Sequence, residues 1–221
     1  MLLPLKSVKV LLPECILFIS SIVYFFSPWS YPYLIKKTFT SISLYCVVYA
    51  ILQFLIFKII WPWSKSTKVR NPLLTNAQPV IKLGSAVLLI LGLWIMAHVM
   101  FVLFGAPFFN LVLETTVSSA LLSILICCPS LVLLGSNFLK WYQVIICGKY
   151  TNNQERFVYL HSAFVVFGTW ISAVVIPLDW DRPWQEWPIP CACGTIFGHC
   201  LALLGNSLLS LKEMKSSGKV V

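Results

Sequence analysis

Apolar runs of about 20 residues recur along this chain, at 8–26, 39–60, 81–104, 108–134, 157–178 and 189–211, and the recurrence leaves few structures open. A helix rising 1.5 Å per residue needs roughly 20 apolar residues to cross a ~30 Å hydrocarbon core. With 59% of the 221 residues hydrophobic and 10% charged, the composition lies far from that of a water-soluble domain. The longest intervening stretches, 61–80 and 136–156, are too short to hide one. The expected architecture is all-α, a polytopic transmembrane helix bundle of about six spans that forms a single domain over 1–221. The first run follows Lys6 and Lys9 and resembles a signal peptide, but it lacks a clear small-residue cleavage site, so it is expected to remain as the first helix. Glu14 near its start is tolerable because that end lies close to the interface.

The runs are punctuated by residues that end helices. Trp61-Pro62-Trp63-Ser64 is expected to close the second run, Gly105-Ala106-Pro107 to separate the third and fourth, and Gly135-Ser136-Asn137 to end the fourth. Proline lacks the amide a helix needs, and glycine relaxes the backbone. Lys and Arg divide unevenly over alternate sides of such a bundle. Thirteen of the 16 fall on one side, and Lys36, Lys37 and Arg182 on the other. The positive-inside rule then predicts both termini in the cytosol, with the loops near Tyr31, Ala106 and Trp180 on the lumenal or exterior face. A net charge of +9 could suggest a nucleic-acid partner, but such a protein gathers its basic residues on one face of a folded domain. Here they flank apolar spans.

Catalytic motifs are missing: there is no Walker loop, GxSxG, HExxH or acidic run. The few Asp, Glu and His residues are scattered, which argues against a two-metal transferase or hydrolase site. Most of the eight cysteines fall inside or at the edges of apolar runs, where cysteine is a small packing residue. Cys191 and Cys193 have neither zinc-ribbon nor CxxC spacing. No metal or cofactor is expected. His98 is expected to hydrogen-bond a neighbouring helix. His161 and His199 are expected on opposite leaflets or at different depths, without forming a cluster.

Three features remain as candidate contacts. Glu114 sits several residues into the fourth run, where an unpaired carboxylate is costly; it is either an interfacial glutamate packed in the bundle or a functional site. Gly194 and Gly198 form a GxxxG spacing in the sixth run, which bares one helix face for close approach of another helix, in this chain or in a partner. The densest polar group is Pro177-Leu178-Asp179-Trp180-Asp181-Arg182-Pro183-Trp184-Gln185-Glu186-Trp187-Pro188. Asp179 and Asp181 could serve as an acid/base pair or metal ligands with Arg182 on a phosphate, but no histidine stands beside them. The architectural alternative has Trp180, Trp184 and Trp187 anchoring a hairpin at headgroup depth, prolines stiffening it, and Arg182 paired with a neighbouring carboxylate.

At this hairpin the sequence resembles a known family. Ile176-Pro177-Leu178-Asp179-Trp180-Asp181-Arg182-Pro183-Trp184-Gln185, followed by Trp187-Pro188-Ile189, is similar to the signature of the phosphatidylinositol-glycan biosynthesis class F family. Phe101-Val102-Leu103-Phe104-Gly105-Ala106-Pro107 with Leu113-Glu114-Thr115 resembles that family's central hairpin. The resemblance is distinct over 97–198; the first 80 residues match in hydropathy and length alone. It implies a multi-pass endoplasmic-reticulum membrane protein that acts in GPI-anchor biosynthesis as a non-catalytic stabilising subunit. Its partners would be the catalytic ethanolamine-phosphate transferases that move phosphoethanolamine from phosphatidylethanolamine to the third mannose, and with another partner the second, of the GPI precursor. The candidate partner or lipid contacts are then Glu114, Asp179, Trp180, Asp181, Arg182, Trp184, Gln185, Trp187, Gly194 and Gly198.

Two other functions compete. Glu114 and His98 at membrane depth would suit a lipid transporter or flippase, but the chain lacks the repeated halves common in transporters. A subunit contributing directly to turnover would use the 179–187 hairpin on a lipid phosphate.

Overall fold

The computed structural model describes residues 35–64 and 82–216, with Ile16, Ile19, Ser20 and Val23 as further helical positions. Most of the expected first span, including Glu14, lies outside the described residues. Among those described, every regular element is helical: α1 (Thr38–Ser64), α2 (Leu83–Leu103), α3 (Val112–Leu134), α4 (Phe138–Trp141) continuing into a π-turn (Tyr142–Ile146), α5 (Asn153–Ser172) and α6 (Ile189–Ser216), with 3-10 turns at Ala173–Val175 and Pro183–Gln185.

Four helices are long and apolar enough to cross a membrane: Leu83–Leu103, Val112–Leu134, Asn153–Val175 and Ile189–Leu209; the apolar stretch Thr38–Gln53 of α1 is shorter. Of the apolar window in α3, 61% is buried, against 11% in α2. The sequence-level hydropathy of the two is similar, so burial is what separates a central helix from a peripheral one. Around α3 the core gathers Ile42, Tyr45 and Tyr49 of α1, Leu121 and Leu125 of α3, Val165 of α5 and Ile196 of α6.

Capping chemistry sets the ends, and it shifts several expected boundaries. After α2, Gly105 adopts φ +100° while its amide bonds the Val102 carbonyl and that of Ala106 bonds the Phe101 carbonyl. This is a glycine-terminated Schellman closure, with Pro107 just beyond it. The fourth span was expected from residue 108, yet α3 begins at Val112, because Leu111 holds a left-handed conformation (φ 57°) before it. A leucine there costs roughly 1–2 kcal/mol, and its carbonyl accepts from both the amide and the hydroxyl of Thr115.

The fifth span, expected at 157–178, instead forms a helix over Asn153–Ser172. Asn152 Oδ1 accepts from the Glu155 amide at 2.8 Å, an N-cap that starts the helix a turn early. Glu155 in turn accepts from the amide and hydroxyl of Thr151 and pairs with Lys140 at 2.9 Å. Helix α1 runs through Trp61-Pro62-Trp63-Ser64, which had been expected to end it.

Two sets of contacts mark opposite ends of the bundle. At one end the Lys82 amide donates to Ser136 Oγ at 2.9 Å, and Trp141 Nε1 donates to the Gly135 carbonyl at 2.8 Å. Residues 136–156, expected as a loop, are thereby folded back under α3 and α5, where Trp141, Val144 and Val158 form a second apolar cluster with Cys127 and Leu134. At the other end lie the α2–α3 turn and the 173–188 connection.

Candidate functional site

The 173–188 connection is built around Gln185, which is buried. Its Nε2 donates to the carbonyls of Val175 and Leu178 at 2.8 and 2.7 Å, and its Oε1 accepts from the Arg182 amide at 3.1 Å. One side chain thus bonds three backbone groups beyond the end of α5, two of them carbonyls that also accept from the Leu178 and Trp180 amides. Trp187 fastens this folded hairpin to the bundle: its Nε1 donates to Thr115 Oγ1 at 2.9 Å, and its ring meets Phe101 edge to face at 5.4 Å. Gln185 and the half-buried Trp187, expected as partner or lipid contacts, are therefore turned inward. A polar side chain in a tight connection has free backbone groups within reach, and an indole needs a partner once its ring is covered.

The outward residues of the hairpin are Asp179, Trp180, Asp181, Arg182, Pro183 and Glu186. Trp180 is 53% exposed and lies 5.8 Å from the half-buried Trp184 ring. Asp181 takes a left-handed backbone (φ 48°), a region that aspartate tolerates better than most residues. Among the described residues, Arg182 makes no ion pair with any carboxylate, which corrects the expectation that it would pair with a neighbour. Exposed pairs gain little in water, so proximity in sequence does not compel one. Asp179, Asp181, Arg182, Glu186 and Trp187 line an open groove of about 690 Å³ walled by Ile176 and Leu178.

Glu114 lies in the first turn of α3, half-buried. It was expected several residues into the span; the later helix start brings it to the end of the bundle that carries the hairpin. There the helix dipole favours a negative charge.

Gly194 and Gly198 are used inside the chain. They face Gly168 of α5 so closely that a Cβ on Gly168 would lie 3.0 Å from Gly198 Cα and closer still to the Gly194 carbonyl; one on Gly198 would run into the Phe164 carbonyl. Backbones in near contact are what a small-residue face permits in a membrane. α5 and α6 are antiparallel, so each step forward on one meets a step back on the other. Thr169 Oγ1 and Thr195 Oγ1 meet at 2.7 Å, and His161 Nε2 meets His199 Nδ1 at 2.8 Å.

The two histidines, expected apart, form a fully buried pair with Tyr49 edge-on to His199 and Phe157 beside His161. Among the described residues, their outer nitrogens, His161 Nδ1 and His199 Nε2, meet no hydrogen-bond partner. Sequence reasoning missed the pair because it assigned depth by distance from span ends, whereas the glycines set the register. The usable signal was Gly168-x-x-x-Ser172, a second small-residue face seven residues beyond His161. Among the described residues no three of His, Cys, Asp and Glu gather where a metal could sit.

A sequence model of the GPI biosynthesis protein family Pig-F matches residues 17–207. The chain belongs to this family. Among its relatives is the human protein named GPI ethanolamine phosphate transferase, stabilizing subunit, 41% identical over 111 residues, which are 50% of this chain and 51% of the relative. The Yarrowia lipolytica protein named glycosylphosphatidylinositol anchor biosynthesis protein 11 is 36% identical over 112 residues, 51% of this chain and 48% of the relative. Its Candida glabrata namesake is 29% identical over 177 residues, 77% of this chain and 72% of the relative. The chain thus spans about half the length of the first of these relatives. No solved structure matches it.

For this member of the Pig-F family, the described site is a hairpin fastened to the bundle by hydrogen bonds and a ring contact. Its inward residues join it to α2 and α3, and its outward charges are left free. Such a surface can hold a partner or a headgroup without making or breaking a bond.

Proposed function

We propose that this chain is a non-catalytic accessory subunit that stabilises GPI ethanolamine-phosphate transferases in the endoplasmic-reticulum membrane. Its catalytic partners transfer phosphoethanolamine from phosphatidylethanolamine to the third mannose and, in a second complex, the second mannose of the GPI precursor. The bundle has about six spans, and both termini face the cytosol on the strength of the Lys and Arg asymmetry. The hairpin then faces the lumen.

The observation that carries this reading is the docked hairpin. Gln185 and Trp187 are committed to holding it, and Asp179, Trp180, Asp181 and Arg182 are exposed. A wide lipid-level face on α2, with Leu88, Ile95, Met96, Val99 and Leu103 exposed, offers the second contact. A transferase helix laid there would have its small or polar residues shielded from lipid. The name of the human relative supports the same role.

The test is to delete the chain from cells and follow the third-mannose transferase by immunoblot while labelling GPI intermediates. Depletion of the transferase, with accumulation of precursors lacking the third-mannose phosphoethanolamine, is the expected result. A transferase that stays abundant and assembled while the same precursor accumulates would replace stabilisation with a role in turnover or substrate delivery. No change in either would remove the chain from this reaction.

A further inference from the structure

We propose that the hairpin groove is a headgroup site for a phospholipid bearing a primary ammonium, with Arg182 on the phosphate and Asp179, Asp181 and Glu186 on the ammonium. The inference deepens the accessory role above and rests on it for the face of the membrane concerned.

Both charges the ligand needs are in one groove and neither is spent. Arg182 and the three carboxylates line it, and among the described residues none of the four makes an ion pair. At the opposite end of the bundle Lys140 and Glu155 do close at 2.9 Å. A guanidinium offers a fork that matches phosphate oxygens. A primary ammonium offers three N–H donors to carboxylates, whereas a quaternary ammonium offers none. Three carboxylates against one guanidinium leave the groove negative, which disfavours lipids with a further anionic group.

The position suits a lipid and not only its headgroup. Ile176 and Leu178 wall the groove where α5 ends. Below it Phe167, Trp170 and Ile171 of α5 and Val174 of the following 3-10 turn are exposed. Their spacing of i, i+3, i+4 and i+7 makes one helix stripe, a track for an acyl chain descending from the groove. The frame is set before any ligand arrives, since Gln185 and Trp187 fix the hairpin, and a preorganised site loses less in ordering. The side chains assigned to the ligand hold no part of that frame.

The full chain, purified into phosphatidylcholine nanodiscs, is exposed to a photo-crosslinking phosphatidylethanolamine or to its matched phosphatidylcholine, and labelled peptides are mapped by mass spectrometry. Labelling around the hairpin is expected to favour phosphatidylethanolamine on the order of tenfold, the scale of one charge-assisted hydrogen bond. Asp179→Asn combined with Asp181→Asn should erase the preference, asparagine being tolerated in the left-handed region. Arg182→Gln should weaken labelling by both lipids. Size-exclusion profiles of the variants should match the unaltered protein.

Equal labelling by the two probes, or a preference unchanged in the variants, overturns the proposal. Displacement of the probe by soluble phosphoethanolamine as effectively as by phosphatidylethanolamine would overturn the lipid assignment in favour of a free headgroup. Transferase depletion on deletion is read in cells and headgroup preference on the isolated chain, so failure of one leaves the other standing.

Discussion

Single atoms decide how closely α5 and α6 approach. A methyl group on Gly198 has no room before the Phe164 carbonyl, whereas one on Gly205 meets nothing within 4 Å. Gly198→Ala should therefore cost about 3 kcal/mol as the helices are forced apart. Gly205→Ala should be neutral or stabilising by up to about 1 kcal/mol through helix propensity. Thermal unfolding of the purified protein in detergent separates the two, and equal effects would mean that the helices do not meet at the glycines. The histidine pair gives a second prediction at this scale. His161→Leu leaves His199 with both ring nitrogens unpaired in a buried site, and His199→Leu does the reverse, each costing about 2 kcal/mol. The double variant should lose about 1 kcal/mol less than the two singles together. Additive losses in the same unfolding assay would show that the pair does not form.

Among the elements, the hairpin depends on a few hydrogen bonds and the long helices on their whole length. Gln185→Leu takes the bond from the Arg182 amide and the second bond from two carbonyls that the Leu178 and Trp180 amides still reach, and should destabilise the hairpin by about 1–3 kcal/mol, raising hydrogen exchange over 176–187 while amides of α3 near Leu125 keep their protection. Trp187→Phe keeps an aromatic ring against Phe101, loses the bond to Thr115, and should cost about 1 kcal/mol. If both substitutions leave exchange over 176–187 unchanged, the hairpin is held by something else. The helices themselves were legible in the sequence because length and hydropathy are local properties. Their ends were less so, since Asn152 and Leu111 act through backbone geometry that no apolar count contains. Gly194 and Gly198 announced a close approach but could not name the partner helix. The His161 to His199 contact was illegible because it follows from the register of two segments distant in the chain. That Gln185 would turn inward onto backbone carbonyls was not legible, because composition does not show which way a polar residue turns.

For the whole molecule, connectivity and contacts together decide which loops share a side. Helices α2, α3, α5 and α6 are joined in alternation, so the α2–α3 turn and the hairpin must lie at one end if each helix crosses the membrane. The 2.9 Å bond from Trp187 to Thr115 brings those two loops together. The Lys82 to Ser136 and Lys140 to Glu155 contacts gather the opposite end, which also carries Lys149 and Arg156. That charge predicts the gathered end to be cytosolic. Cys147 is an exposed cysteine at that end, and Trp180 is exposed at the other. In sealed microsomes an impermeant maleimide should label Cys147 at once. In a Cys147→Ser background, Trp180→Cys should react only after the membrane is permeabilised. Reaction of both without permeabilisation would break the alternation of spans. Reaction of the Trp180→Cys protein alone would invert the bundle and leave the hairpin in the cytosol, away from any lumenal transferase domain, so this measurement bears on the groove and the accessory role together.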